Sequence, residues 1–302
     1  MMITLSLPNF KIPIGDFMEQ AIDWMTNNFS GFFDAVKEGL KVIIGGIGNS
    51  LMAIPIPLFI FLAVIIAWWV SSKGIAIFTG LGFLLIANLN LWNQTMQTLA
   101  LVATATLITL IIGLPLGVLM AKNDTANKII RPILDFMQTM PAFVYLIPAV
   151  YFFDLGLVPG AVATIIFAMP PIARLTNLGI RQVPKDVIEA AKAFGATPSQ
   201  LLFKVQVPLA VPTVLAGLNQ TIMLSLSMVV ISAMIGADGL GKIVYEGITQ
   251  MKIGKGFEGG LAVVILAMIL DRITQCLGKK NPKSGKRTID NLIHKRKLAN
   301  KG

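Results

Sequence analysis

The sequence predicts an all-α integral membrane protein, and three features point that way. Hydrophobic side chains make up 55% of the 302 residues and charged ones only 13%, where an ordinary soluble domain carries roughly a quarter charged residues. Val42 to Ser72, Gly74 to Ala121 and Leu209 to Ala237 contain no Asp, Glu, Lys or Arg, and each is longer than the roughly 20 apolar residues that cross a hydrocarbon core. The basic residues of the short connections all fall on one side of the resulting arrangement. A soluble fold of this size would have to bury several whole helices and keep almost nothing for a wetted surface.

Residues Gly15 to Leu40 come first. Phe17, Met18, Ala21, Ile22, Met25, Phe29, Phe32, Phe33, Val36 and Leu40 recur at helical spacing, with Asp16, Glu19, Asp23, Asp34, Lys37 and Glu38 on the other face. Charges interrupt this helix too often for it to span. Its apolar stripe fits the membrane interface, or alternatively a partner subunit. No basic segment followed by an apolar core and a cleavage site opens the chain at Met1-Met2-Ile3-Thr4, so no signal peptide is expected.

About seven spans are then expected: Leu51–Val70, Gly74–Asn90, Met96–Ala121, Phe136–Phe153, Val158–Asn177, Leu209–Ile235 and Gly259–Leu277. Pro141 and Pro148 interrupt the fourth, where a kink or neighbouring helices must satisfy the freed carbonyls. Asn88 to Trp92 and Asp154 to Gly156 read as short turns, with Trp92 suited to one interfacial belt and Trp68 and Trp69 to the other. Lys73, Lys122, Lys128, Arg131, Arg174, Arg181, Lys185, Lys192, Lys204 and the tail share one side, which is therefore expected to be cytoplasmic. Before Val42 three lysines face five acidic residues. The N-terminus is thus expected outside and the C-terminus inside.

The longest polar break in the hydrophobic region runs from Arg181 to Pro208. It reads as two short helices joined by a turn. Pro184 suits a first helical position, and Gly195 suits the left-handed residue that ends a helix. Thr197, Pro198 and Gln200 supply a cap, an N1 proline and a capping-box partner, and Pro208 re-enters the membrane segment. Val187, Ala190, Ala191 and Phe194 share one face, a docking stripe rather than a solvated surface. Glu189 is the one acidic side chain of that helix beyond its first turn, suited to an ion pair or hydrogen bond with a partner or the adjoining helix. On these residues alone, a hairpin that merely covers its own bundle is the competing reading.

Glu189-Ala190-Ala191, three residues, Gly195, nine residues, then Val205-Gln206-Val207-Pro208 resembles the EAA loop of bacterial ABC importer permeases. Val205 and Val207 replace the usual Ile and Leu with apolar residues of similar shape. The resemblance implies a type I ABC importer permease fold, with Pro184 to Lys204 inserting into a groove of a separate ATPase that carries ATP and Mg. Asp135 to Pro148, Ile180 to Pro184 and Asn219 to Val230 are similar to the glycine betaine/proline betaine permeases, a likeness running from about Leu51 to Gln275. It implies import of quaternary ammonium osmoprotectants, with choline and carnitine left open, a binding protein outside and a second permease copy beside this one. The expected organisation is an outer amphipathic helix over 1–42, additional spans over 43–92, the transport domain over 93–277 with its coupling loop at 181–208, and a basic tail over 278–302.

Other motifs carry less. Gly236-Ala-Asp-Gly-Leu-Gly-Lys242 has P-loop spacing, but Ile243 stands where Ser or Thr should hold magnesium and no strand precedes it. The chain therefore has no nucleotide site or other cofactor of its own to expect, and no enzymatic activity. This turn instead resembles an external turn of the permeases, with Asp238 at a place suited to a small residue. Gly113 to Gly117 fits close helix packing. His294 is the one histidine, so neither a zinc site nor a catalytic imidazole is expected, and nothing points to nucleic acid. Cys276 has no second cysteine to pair with.

Quaternary ammonium groups favour aromatic faces. Phe143, Tyr145 and Tyr151 near the prolines of the fourth span, with Gln138, Thr139, Asn219 and Gln220 as polar neighbours, are the candidates for a pathway, against the alternative of ordinary packing. Asp154, Asp271 and Arg272 lie near span ends, which weakens a proton relay and with it an ion-driven carrier. After Leu277 nine basic residues face Asp290 alone, a positive-inside anchor that also suits anionic lipid.

Overall fold

A computed structural model describes residues 13–279, in which all regular structure is helical. The tail after Lys279, His294 and the first twelve residues lie outside the described residues. In chain order the helices are α1 (Ile14–Ala53), α2 (Ile56–Val70), α3 (Lys73–Asn88), α4 (Trp92–Lys122), α5 (Asp124–Thr139), α6 (Ala142–Phe153), α7 (Leu157–Arg181), α8 (Lys185–Ala193), α9 (Pro198–Gln200), α10 (Val207–Ala233), α11 (Leu240–Thr249) and α12 (Ile253–Lys279).

Each expected span lands on a helix, yet not all are long enough to cross alone. Among the described residues four helices are long and apolar enough, or up to six when each sharply bent pair counts as one span. Two prolines cause the difference. Pro55 drives Ile54 into extended backbone and α2 leaves α1 at 102°, while Pro141 does the same to Met140 and α6 leaves α5 at 98°. The first expected span therefore begins at Ile56 and the fourth splits at Met140. Pro148, by contrast, is accommodated inside α6. Helix α3 has 16 residues, so it reaches about 24 Å at 1.5 Å per residue against a core of about 30 Å.

The amphipathic helix expected over Gly15 to Leu40 does not stop there. It passes a non-helical residue at Phe29 and continues into the charge-free stretch as far as Ala53. Leu40, Ile44 and Gly48 are buried, and Gly48 lies close enough to α4 that a Cβ on it would meet Ala100 at 3.6 Å. Phe33 stacks on Phe152 of α6 with ring centroids 4.3 Å apart. Toward the start of α1, Phe17 and Trp24 stay exposed.

Helix α7 is the centre of the bundle. It packs against α4 and α10 along most of its length, and small residues set the spacing. A Cβ on Gly113 would strike Ile172 at 2.5 Å and one on Gly117 the Ala173 carbonyl oxygen at 2.6 Å. On the other flank Gly217 meets Ile172 and Leu175, and Gly179 meets Thr213 and Ala210. In the absence of a strong hydrophobic drive between helices in lipid, such close backbone approach supplies the packing.

Trp92 corrects a sequence expectation. It is 7% exposed and packs edge-on against Phe59 and Phe83, so it belongs to the core between α2, α3 and α4, whereas Trp68 and Trp69 are exposed. The turn at Gly236 to Lys242 holds two glycines at positive φ, and Leu240 donates its N–H to the Thr98 hydroxyl at 2.8 Å. Asp238 accepts from Lys242 at 2.7 Å, which uses the carboxylate within the turn.

Candidate functional site

The break from Arg181 to Pro208 folds largely as its capping residues require. Pro184 occupies the N-cap of α8, one residue earlier than expected, with φ −55°. At the other end Gly195 adopts φ +79°. Its N–H donates to the Lys192 carbonyl at 2.9 Å and that of Ala196 to Ala191 at 3.1 Å, the paired bonds of a Schellman ending. Thr197 accepts from the Gln200 N–H at 3.3 Å, and Gln200 accepts from the Thr197 N–H at 3.0 Å, completing the capping box.

The second half departs from expectation. No separate helix ends before Pro208; α9 passes through a π-turn at Leu201–Gln206 directly into α10. Pro208 has no N–H to offer, and its ring would clash with the carbonyl of Lys204 in a regular turn. The wider π-turn, in which the Val207 N–H donates to Leu202, relieves that conflict without ending the helix. The loop is thus one short helix, α8, joined through Gly195 to the foot of a continuous rod against which it packs.

On α8, Val187, Glu189, Ala190 and Phe194 are exposed and Ala191 is half-buried. Phe194 is 93% exposed, a large apolar cost for an unliganded surface. Among the described residues Glu189 makes no ion pair or side-chain hydrogen bond. The stripe therefore does not cover its own bundle, and of the two expectations for Glu189, a bond to a partner or to the adjoining helix, the described residues do not supply the second.

Beside the loop, α5 is clamped to the lower half of α7, a feature the sequence reading passed over. Arg181 donates to Asp124 at 2.7 Å, to the Met120 carbonyl at 2.7 Å and to Asn177 at 2.9 Å. Asn177 donates in turn to Asn127 at 3.0 Å. Arg174 pairs with Asp135 and donates to Gln138 at 2.6 Å. The available signal was Asn123, whose side chain caps α5 by accepting from Thr125 and Ala126, ahead of an apolar spacing through Ile130, Leu134 and Met137.

The pathway candidates fall into two separate groups. Gln138 and Thr139 end α5, with Gln138 held by Arg174; Tyr145 is buried, donating its hydroxyl to the Met137 carbonyl across the bend, while Phe143 and Tyr151 are exposed. Asn219 faces α12 instead. It donates to Asp271 at 2.8 Å and accepts from Thr274 at 2.7 Å, and Gln275 donates to the same carboxylate at 2.8 Å. Asn219 and the exposed Gln220 line, with Thr274 and Gln275, a cavity of about 450 Å³. Asp271 thus lies in the α10–α12 contact, toward the end of the span Ile253–Cys276. Among the described residues no group of three or more His, Cys, Asp or Glu could hold a metal ion.

Residues 113–281 match the family model of the binding-protein-dependent transport system inner membrane component. The chain is 53% identical over 275 residues to the glycine betaine transport system permease protein OpuAB of Bacillus subtilis (strain 168), covering 91% of this chain and 98% of that protein. It is 50% identical to the glycine betaine/proline betaine transport system permease protein ProW of Escherichia coli (strain K12), covering 91% of this chain and 78% of the relative. Among solved structures, a chain of the MetNI methionine ABC transporter in an inward-facing conformation superposes with a TM-score of 0.55 at 26% identity, covering 60% of this chain and 91% of that one.

Proposed function

We propose a function for this chain, which belongs to the binding-protein-dependent transport system inner membrane components: it is the permease subunit of an ABC importer for glycine betaine, proline betaine or a related quaternary amine. The observation that carries the substrate class is the identity of 50% or more, over 91% of the chain, to permeases named for glycine betaine transport. Similarity to an ABC transporter chain, and not to an ion-driven carrier, sets the secondary-carrier alternative aside. The protein is a multi-pass membrane subunit without enzymatic activity of its own, and ATP with its Mg belongs to a partner ATPase.

That ATPase docks on α8 from the cytoplasm, with Phe194 and Val187 entering its groove, Ala190 allowing close approach, and Glu189 meeting a donor of the partner. A displacement of α8 reaches the bundle along two routes. One is the rod from Pro198 to Ala233, rigid across Pro208 because the π-turn keeps its hydrogen bonds. The other is Arg181, which joins the loop to α4, α5 and α7. Two copies enclose one pathway, an outer binding protein delivers the solute, and each ATPase state favours one opening, since equal affinity for both would shift nothing. With the two bent pairs and the short α3 each counted as a crossing, the N-terminus lies outside and the C-terminus in the cytoplasm, following the basic connections.

The test is uptake of labelled glycine betaine into liposomes that hold the purified chain with its binding protein, with and without the ATPase. Uptake that needs the ATPase and ATP is expected. Uptake driven by an ion gradient without the ATPase would overturn the reading.

A further inference from the structure

A groove of about 500 Å³ runs between α2 and α3, lined among others by Val64, Trp68, Lys73, Ile77, Gly80 and Leu81. That volume lies in the range of about 300–1,000 Å³ typical of ligand sites. Lys73 is the one charged side chain along its walls. Gly80 sets the floor, since a Cβ there would meet Val64 at 3.1 Å. The groove lies outside residues 113–281 that match the transport family, so nothing in that match accounts for it.

Lys73 is also the one charged residue between Val42 and Ala121. It is exposed, and among the described residues it has no ion-pair partner. It stands at the first position of α3, whose first turn holds no acidic residue. Ser72 caps the Ile75 N–H, which leaves the Lys73 and Gly74 N–H groups with partial positive charge, and a lysine beside them is repelled unless an anion neutralises both. From Lys73 to Leu81 the slot extends about 12 Å along α3, close to one leaflet of a core about 30 Å thick. Trp68, 59% exposed, stands at the same end as Lys73, where amphipathic rings settle at the headgroup level.

We infer that the α2–α3 groove holds one anionic phospholipid, its phosphate on Lys73 and the first turn of α3 and one acyl chain in the slot over Gly80. Charge selects the headgroup and the apolar walls select the tail. A free phosphate would use the first part of the site alone, and a zwitterionic lipid the second.

Native mass spectrometry of the full chain in detergent, titrated separately with phosphatidylglycerol, phosphatidylcholine and inorganic phosphate, distinguishes these. One phosphatidylglycerol is expected to bind before phosphatidylcholine, with no phosphate adduct. Lys73→Gln should weaken phosphatidylglycerol about fivefold, the effect of one basic residue near an anionic surface, and leave phosphatidylcholine unchanged. Ile77→Trp, which fills the slot, should weaken both lipids, and Lys73→Arg should preserve the preference. Equal retention of phosphatidylglycerol by Lys73→Gln and Ile77→Trp would overturn the site, as would a phosphate adduct that Lys73→Gln abolishes while lipid binding persists. Thermal unfolding of each variant in the same detergent separates a lost site from a lost fold.

Discussion

Arg181 at the end of α7 holds the carboxylate of Asp124, the first residue of α5, at 2.7 Å, while the same guanidinium caps the Met120 carbonyl of α4. Three helices therefore meet on one side chain at the mouth of the loop. Asp124 is 80% exposed, so the ion pair contributes about 0.2–1 kcal/mol. Asp124→Asn should cost no more than that, and Arg181→Met about 1 kcal/mol beyond it by also removing the bonds to Met120 and Asn177. Chemical denaturation in detergent measures both; equal costs would contradict a shared role for the guanidinium.

The bond from Asn219 to Asp271 ties α10 to α12 within a polar cluster that also holds Thr274 and Gln275. Asn219→Leu should lower unfolding free energy by about 0.6–1.7 kcal/mol, from the average to the largest value for interhelical hydrogen bonds in membranes. Asp271→Asn, which keeps an acceptor for both amides, should cost less. The same denaturation series reports the difference, and the reverse ranking would show that the ionised carboxylate is required.

Glycines on the two sides of α7 should behave unlike Gly46 of α1. Gly117→Val drives a side chain into the Ala173 carbonyl and Thr176, and overpacking of this kind costs about 1–3 kcal/mol. Gly46→Ala meets nothing within 4 Å on α1 and should be neutral or slightly stabilising, since alanine favours helix by up to about 1 kcal/mol. Thermal unfolding of the two variants should diverge in sign or nearly so.

Glu246 lies in α11, outside the long spans, and accepts at 2.8 Å from Lys255 at the start of α12, which holds its carboxyl below the ordinary value. A lowered folded value means the contribution is present above the unfolded value and is lost as pH falls through the folded one. The stability gap between the wild-type chain and Lys255→Met should therefore shrink as pH drops from about 7 toward 3, through the usual glutamate range. A gap that widens in acid would reverse the assignment.

Helix positions were legible because charge-free stretches and caps act locally; Gly195 and the Thr197–Gln200 box form as their chemistry requires. Bends were less so, since Pro55, Pro141 and Pro148 look alike in sequence and only the first two break a helix. Whether the carbonyl four residues back can be spared depends on neighbours the sequence does not display. Trp92 was misplaced for a related reason: its lipid-facing and core-facing roles differ only by which way α2 and α3 pack. Likewise Asn219, inside α10, and Gln138, at the end of α5, are both polar, yet their partners, Asp271 and Arg174, lie 52 and 36 residues away.

In the proposed function, α8 is the point where ATP hydrolysis reaches the pathway. The direct measurement is ATP-driven uptake of labelled glycine betaine by proteoliposomes carrying Glu189→Lys or Gly195→Asp, with ATPase retention scored in the same preparations. The account predicts that uptake is lost while membrane insertion is intact. Normal uptake by either variant with the ATPase still bound would contradict it.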